Sequence, residues 1–286
     1  MVILYVLLVL IWSTGFITGK LIVGLMDPNI YLGIRFLLAA LLFFALALWQ
    51  RRTFPSRQEL PQQILAGVLM SGLYLGLAYV AIAKGLPAGV MALIGALQPV
   101  LVTLLAFLLI KEKTSFLSMF GMLIGIIGLL LVISPALELD MSHGGVTLLT
   151  LCLAVGAILA LSLGAIYQKM SIASSDIIVS MGIQNLAAGA VAFGFVWMLG
   201  EHVFVAQWPS YLLLFWGAVV LSGGGVFLMV WLLRKIHASQ VAMLLLLAPP
   251  LAAVESYFLF AETMTMVQII GFVITIGGVY FSRLKA

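Results

Sequence analysis

Only one cysteine, Cys152, occurs among the 286 residues, and it sits inside an apolar run. A lone thiol builds neither a disulfide framework nor a thiolate metal pair. The three histidines, His143, His202 and His237, fall at loops or at the ends of apolar runs with no ligand spacing. Neither a metal site nor a histidine-based catalytic centre is expected, and no cofactor is implied. Charged residues make up 8% of the chain, too few to cover a water-soluble surface. The formal net charge of +4 and the pI of about 9.3 come from Lys and Arg scattered at the ends of apolar runs. They form no basic face, which excludes a nucleic-acid partner. No GxxxxGK[ST] loop is present, and Gly223, Gly224 and Gly225 lack the following lysine and lie within an apolar run. ATP is therefore not the energy source within this chain.

What the chain has instead is apolar length. It is 65% hydrophobic with a mean hydropathy of +1.30, which predicts an integral membrane protein. Ten runs approach the roughly 20 residues that span a bilayer: Ile3 to Leu25, Tyr31 to Gln50, Gln62 to Lys84, Pro87 to Ile110, Ser115 to Ile133, Val146 to Lys169, Ile177 to Gly200, Tyr211 to Leu233, Ser239 to Ala261 and Met264 to Ser282. All should be helices, because a lipid-exposed strand leaves its backbone unsatisfied. The first run lacks a charged leader and a small-residue cleavage site, and reads as a retained span. The longest linkers, Arg51 to Pro61 and Ser134 to Gly145, are too short to hide a soluble domain.

The chain is also written twice. Pro99, Glu112, Gly121 and Gly128 recur 150 positions later as Pro249, Glu262, Gly271 and Gly278. Gly15, Lys20, Asp27, Gly33, Ile34 and Leu37 recur at a spacing of 149 as Gly164, Lys169, Asp176, Gly182, Ile183 and Leu186. One loop insertion accounts for the difference. The expected organisation is a single membrane transport domain over 1–286 with internal repeats 1–137 and 144–286. A cytoplasmic N-terminus gathers Arg51, Arg52, Arg57, Lys111, Lys113, Lys169, Arg234, Lys235, Arg283 and Lys285 on the inner side. The positive-inside rule thus favours both termini in the cytoplasm of a plasma (bacterial inner) membrane. With five spans per repeat, the second half must be inverted relative to the first. The predicted fold is all-α, ten transmembrane helices as two inverted five-helix repeats, the architecture of secondary transporters.

The opening LIWSTGFITGK, then DPNIYLGIRFLLAALL, and the stretch Pro99 to Glu112 with its echo Pro249 to Glu262 resemble the drug/metabolite transporter superfamily, in particular its ten-helix EamA-type members. The resemblance runs over essentially the whole chain. It implies two inverted five-helix bundles around a central cavity lined mainly by helices 1, 3, 4, 6, 8 and 9. It also implies export of small metabolites, amino acids or toxic compounds, with no consistent substrate across the family.

Residues found in one repeat alone are the better functional candidates. Arg35 stands where the second repeat has Gln184, and Glu255 where the first has Leu105. A carboxylate inside a span is costly and belongs beside protein or water. Glu255 is either a proton or cation coupling site or half of an ion pair, for which Arg35 is a candidate. Arg35 by itself reads first as a structural group bonding helix-end carbonyls. Lys20 and Lys84 read as snorkelling lysines near the outer ends of helices 1 and 3. Pro99, Pro249 and Pro250 are expected to bend or break helices 4 and 9 beside the central site. Trp12, Ser13, Tyr74, Tyr79, Gln98, Ser162 and Ser222 are candidates to line the cavity, where aromatic faces and a few polar groups suit an amphipathic solute. Gly121 and Gly125 form a GxxxG, echoed by Gly271 and Thr275, for close helix packing or a dimer contact.

The expected activity is secondary export by alternating access, with a small-molecule substrate, the lipid bilayer and protons as candidate coupling ion, in a monomer or homodimer. Amino acids lead the substrate list, with amphipathic drugs second, because no cationic cluster exists to compensate a sugar phosphate. An intramembrane enzyme acting on a lipid is the alternative, but it needs a convergent catalytic set that one isolated carboxylate does not provide.

Overall fold

The computed structural model describes residues 1–86, 88–95, 97–140, 147–172, 175–260 and 265–282. Ser142, His143, Glu262, Arg283 and Lys285 lie outside them. Ten apolar helical segments follow one another: α1 Val2–Leu21, α2 Pro28–Trp49, α3 Leu60–Ala83, α4 in two pieces Ala88–Gly95 and Gln98–Ile110, α5 Phe116–Asp140, α6 Leu148–Ser171, α7 Ile177–Leu199, α8 Trp208–Leu233, α9 in two pieces Ala238–Leu245 and Ala248–Phe260, and α10 Met266–Phe281. Among the described residues, seven are long and apolar enough to cross a membrane, and three have shorter apolar stretches. The stretch from Ser134 to Asp140, expected as linker, continues α5 as helix.

Helix ends are set locally. Asp176 caps α7 by accepting the Ile178 and Val179 N–H groups at 2.9 and 3.2 Å, and Thr265 with Gln268 forms a capping box at α10. Gly200 closes α7 in the left-handed conformation at φ +67°, which needs no Cβ. Trp49 and Trp197, 80% and 86% exposed at the ends of α2 and α7, suit the membrane interface.

The two repeats pack reciprocally. Between α2 and α7, a Cβ on Gly33 would stand 2.8 Å from the Phe193 ring, and one on Gly182 would stand 2.7 Å from the Phe44 ring. Gly33 and Gly182 are repeat equivalents, as are Phe44 and Phe193, so each glycine receives the other repeat's phenylalanine. Such a swap requires the equivalent helices to run antiparallel. The same holds between α5 and α10, where Gly121 meets Gly278 and Gly128 meets Gly271 backbone to backbone. Small residues are what permits this approach, since lipid tails give apolar helices little reason to associate by burial alone. Inverted repeats are thus built into the packing.

Two departures from regular helix are also shared. α3 carries a π-helical stretch over Val68–Leu73, and α8 carries one over Trp216–Val226, covering the repeat-equivalent positions. α4 and α9 are each interrupted near their middle. Pro99 and Pro249 lie in the first turn after the break, where a missing N–H removes no helical bond. Pro250 follows in the same turn.

Candidate functional site

A cavity of about 140 Å³ lies where the interruptions of α4 and α9 face α1, α3, α5 and α6. Trp12 from α1, Tyr74 from α3, Gln98 from α4 and Pro249 from α9 stand on its wall. Each is delivered by a local feature. Tyr74 follows the π-helical stretch of α3, while Gln98 and Pro249 sit beside the helix breaks. The rest of the wall is apolar and includes Phe16, Met91 and Ile158. Leu129 shows that α5 contributes, whereas α8 provides no lining residue, which differs from the expected helix set. Apolar neighbours of this kind carry no sequence signal that separates them from ordinary core, because only the helix rotations decide which face the gap.

Ser13, Ser162, Ser222 and Tyr79 do not line this cavity. Ser162 is fully buried and donates to the Ile158 carbonyl of its own helix at 2.7 Å. Its repeat equivalent Ser13 is equally buried but does more. The Ser13 hydroxyl lies 2.8 Å from the Leu10 carbonyl and 2.5 Å from Oε1 of Glu255, joining α1 to α9. Oε2 of Glu255 is buried without a hydrogen-bond partner among the described residues. Tyr79 runs along α3 with its hydroxyl beside Gly19 of α1.

Arg35 and Glu255 do not pair. Arg35 is 7% exposed, and its Nε donates to the Ser222 hydroxyl of α8 at 2.9 Å. Its partner is therefore a side-chain hydroxyl, and the expectation of helix-end carbonyls is corrected. The guanidinium lies 5.5 Å from the Phe36 ring centre, a cation–π distance. Gly217 makes the approach of α8 possible, because a Cβ there would run into the Tyr31 hydroxyl and stand 3.0 Å from Cδ of Arg35. At the equivalent place in the other half, Gly67 packs on the backbone of Gln184. Gln184 donates to Gln63 and Gln168 at 3.2 and 2.8 Å, so a neutral amide cluster occupies the position that Arg35 holds opposite. Gln63 and Gln168 were not singled out in the sequence, and their mid-chain glutamines inside apolar runs were the available signal.

Charges collect at the helix ends. Lys169 pairs with Glu112 at 2.5 Å and also donates to the Ile236 carbonyl, while Glu112 accepts the Ala238 N–H at the start of α9. Arg52, just after α2, pairs with Asp176 at the start of α7, and its repeat equivalent Glu201, just after α7, accepts the Asn29 and Ile30 N–H groups at the start of α2. No group of three or more metal-ligating side chains occurs among the described residues.

A profile of the EamA-like transporter family matches residues 1–134 and again 148–284. The chain belongs to the EamA-like transporter family. An uncharacterized transporter of Bacillus subtilis, YoaV, is 27% identical over 96% of each chain. A probable amino-acid metabolite efflux pump of Escherichia coli is 25% identical over 98% of this chain and 93% of its own. A solved crystal structure shares the fold, with a TM-score of 0.81 at 16% identity over 99% of this chain and 96% of that one. As an EamA-like transporter the chain is a multi-pass membrane protein with a small-molecule substrate, and a largely apolar cavity bearing Trp12, Tyr74 and Gln98 lies between its halves.

Proposed function

We propose that this EamA-like transporter exports small amphipathic metabolites, amino acids first among them, by alternating access across a bacterial inner membrane with both termini in the cytoplasm. The observation that carries the reading is the reciprocal antiparallel packing of the two repeats around a cavity whose wall joins Trp12 and Tyr74 to Gln98. Aromatic faces suit an apolar side chain, and a few polar groups orient a charged head. The cavity of about 140 Å³ is smaller than the roughly 300–1,000 Å³ typical of ligand pockets, so cargo needs the halves to part. The efflux function in the name of the Escherichia coli relative favours amino acids.

Glu255 is the coupling group in this reading. One Ser13 proton faces two acceptors, the Leu10 carbonyl and Glu255. A proton on Glu255 completes the chain, with the carboxyl donating to Ser13 and Ser13 donating to Leu10. Losing that proton leaves a carboxylate held by the Ser13 hydroxyl at Oε1, with Oε2 buried and unbonded, so the charged form lacks a partner that only water or an arriving cation supplies. Uptake into inside-out proteoliposomes tests the function. Amino acids and amphipathic amines are expected to compete for a shared pathway, and sugar phosphates to leave it unaffected. Block by sugar phosphates with no effect of amino acids would overturn the reading.

A further inference from the structure

We infer that Arg35, framed by Ser222, Tyr31 and Tyr74, is a subsite for the carboxylate group of the transported solute. The inference rests on the exporter reading for what the subsite serves, and on the geometry of α2, α3 and α8 for its chemistry.

Arg35 carries five N–H donors, and the bond from Nε to Ser222 uses one of them. The Tyr31 hydroxyl is its other hydrogen-bonding neighbour among the described residues, which leaves donors of the fork unengaged. Among the described residues no carboxylate pairs with it, since Glu255 is taken up by Ser13 and the acidic groups Asp27, Glu112, Asp176 and Glu201 are engaged at helix ends. A guanidinium that is 93% buried within the apolar part of α2, with no counter-charge among the described residues, is expensive to hold. Elsewhere the protein avoids that cost: the repeat-equivalent position carries Gln184, whose amide is met by two further glutamines. The first half therefore keeps a cation where the second half keeps a neutral network, under the same glycine approach and the same π-helical distortion of the facing helix.

What surrounds Arg35 suits an arriving anion. The Tyr31 hydroxyl lies beside it and donates to the Leu213 carbonyl at 3.5 Å, while Tyr74 and Tyr79 are within electrostatic reach of its charge. Tyrosine hydroxyls donate to carboxylate oxygens and do not compete as counter-ions. Tyr74 stands on the cavity wall, so the charge of Arg35 is felt at the edge of the space between the repeats. Ser222 holds Nε, which leaves the Nη side of the planar fork for the paired oxygens of a carboxylate. Trp12 and Phe16, across the cavity, then meet the apolar part of the same solute. A monocarboxylate fits, because one guanidinium balances one negative charge; a phosphate dianion would be left half compensated.

The test is binding to purified full-length protein, followed by intrinsic fluorescence and thermal stabilisation. The probes are leucine, methionine and phenylalanine, each beside its amide and its decarboxylated amine. At least one amino acid should bind, at least tenfold more tightly than its amide or amine. Arg35→Gln should bring acid and amide to within twofold of each other while retaining the affinity for the amine, which also reports an intact fold. Arg35→Lys should keep the preference for the acid in weakened form, and Ser222→Ala should weaken acid binding without abolishing the preference. The inference is overturned if acid and amide bind the wild-type protein alike, if no acid binds, or if Arg35→Gln keeps the acid preference. Should Arg35→Gln fail to fold, the decision passes to Arg35→Lys and Ser222→Ala, and unchanged acid affinity in both overturns it. Amino acids that bind with this discrimination but are not moved into proteoliposomes would instead refute the exporter reading and leave the subsite standing.

Discussion

Replacing Glu112 with alanine removes two contacts that hold the end of α4 to α6 and α9. Glu112 Oε1 stands 2.5 Å from Lys169 Nζ, and Oε2 accepts the Ala238 N–H at 3.3 Å in the first turn of α9. The side chains of Lys169 and Glu112 are 22% and 12% exposed, so the pair is neither sealed nor free in water. Breaking a sealed pair costs about 3–5 kcal/mol and an exposed one about 0–1, which puts this pair at about 2 kcal/mol. Losing the acceptor at the start of α9 adds about 1 kcal/mol. Glu112→Ala should therefore cost about 3 kcal/mol. Lys169→Met should also cost about 3, because it loses the pair and the bond to the Ile236 carbonyl while the carboxylate keeps its bond to Ala238. The double variant should cost about 4 and not about 6, a coupling of about 2 kcal/mol. Equilibrium unfolding in mixed micelles measures all four proteins. Single-variant losses that add to within about 0.5 kcal/mol would show that the two charges do not share an interaction, and the account of this helix junction would fail.

The reciprocal glycine pockets predict that Gly33→Ala, which sets a Cβ 2.8 Å from the Phe193 ring, costs about 1–3 kcal/mol, and that Phe193→Leu in the same protein recovers part of it. Strictly additive losses in the same unfolding assay would refute that contact. Glu255→Gln should abolish pH-gradient-driven accumulation and leave counterflow exchange intact, with Ser13→Ala lowering the gradient-driven rate; unchanged accumulation by Glu255→Gln would remove the coupling role. Reporter fusions after Ser142 and after Ala286 should lie on opposite sides of the membrane, the latter in the cytoplasm, and a shared side would contradict the proposed orientation.

The sequence by itself determined the solvent, the element type and the symmetry. Apolar runs of spanning length leave the backbone no choice but helix in lipid, and the recurrence of Gly33 as Gly182 and Gly121 as Gly271 marks a duplication, which an odd number of spans per repeat makes an inverted one. Prolines at 99 and 249 announce where two helices are interrupted, because their geometry is local. The tertiary structure decided what each polar side chain meets. Arg35 and Glu255 both stand out in the sequence, yet only helix rotation and depth give Ser222 to one and Ser13 to the other. Ser13 and Ser162 are equivalent in the repeat and differ in role, since α9 brings the Glu255 carboxylate to one, whereas the first-repeat counterpart of Glu255 is the apolar Leu105. The cavity wall follows the same logic: Phe16, Met91 and Ile158 are chemically indistinguishable from core residues, and they line the gap because the breaks in α4 and α9 hold neighbouring helices apart there. Hydropathy reports transfer from water to an apolar phase, which every one of these residues satisfies. Which face of a helix meets protein, lipid or a cavity is set by contacts between segments far apart in the chain, and no local pattern encodes those contacts.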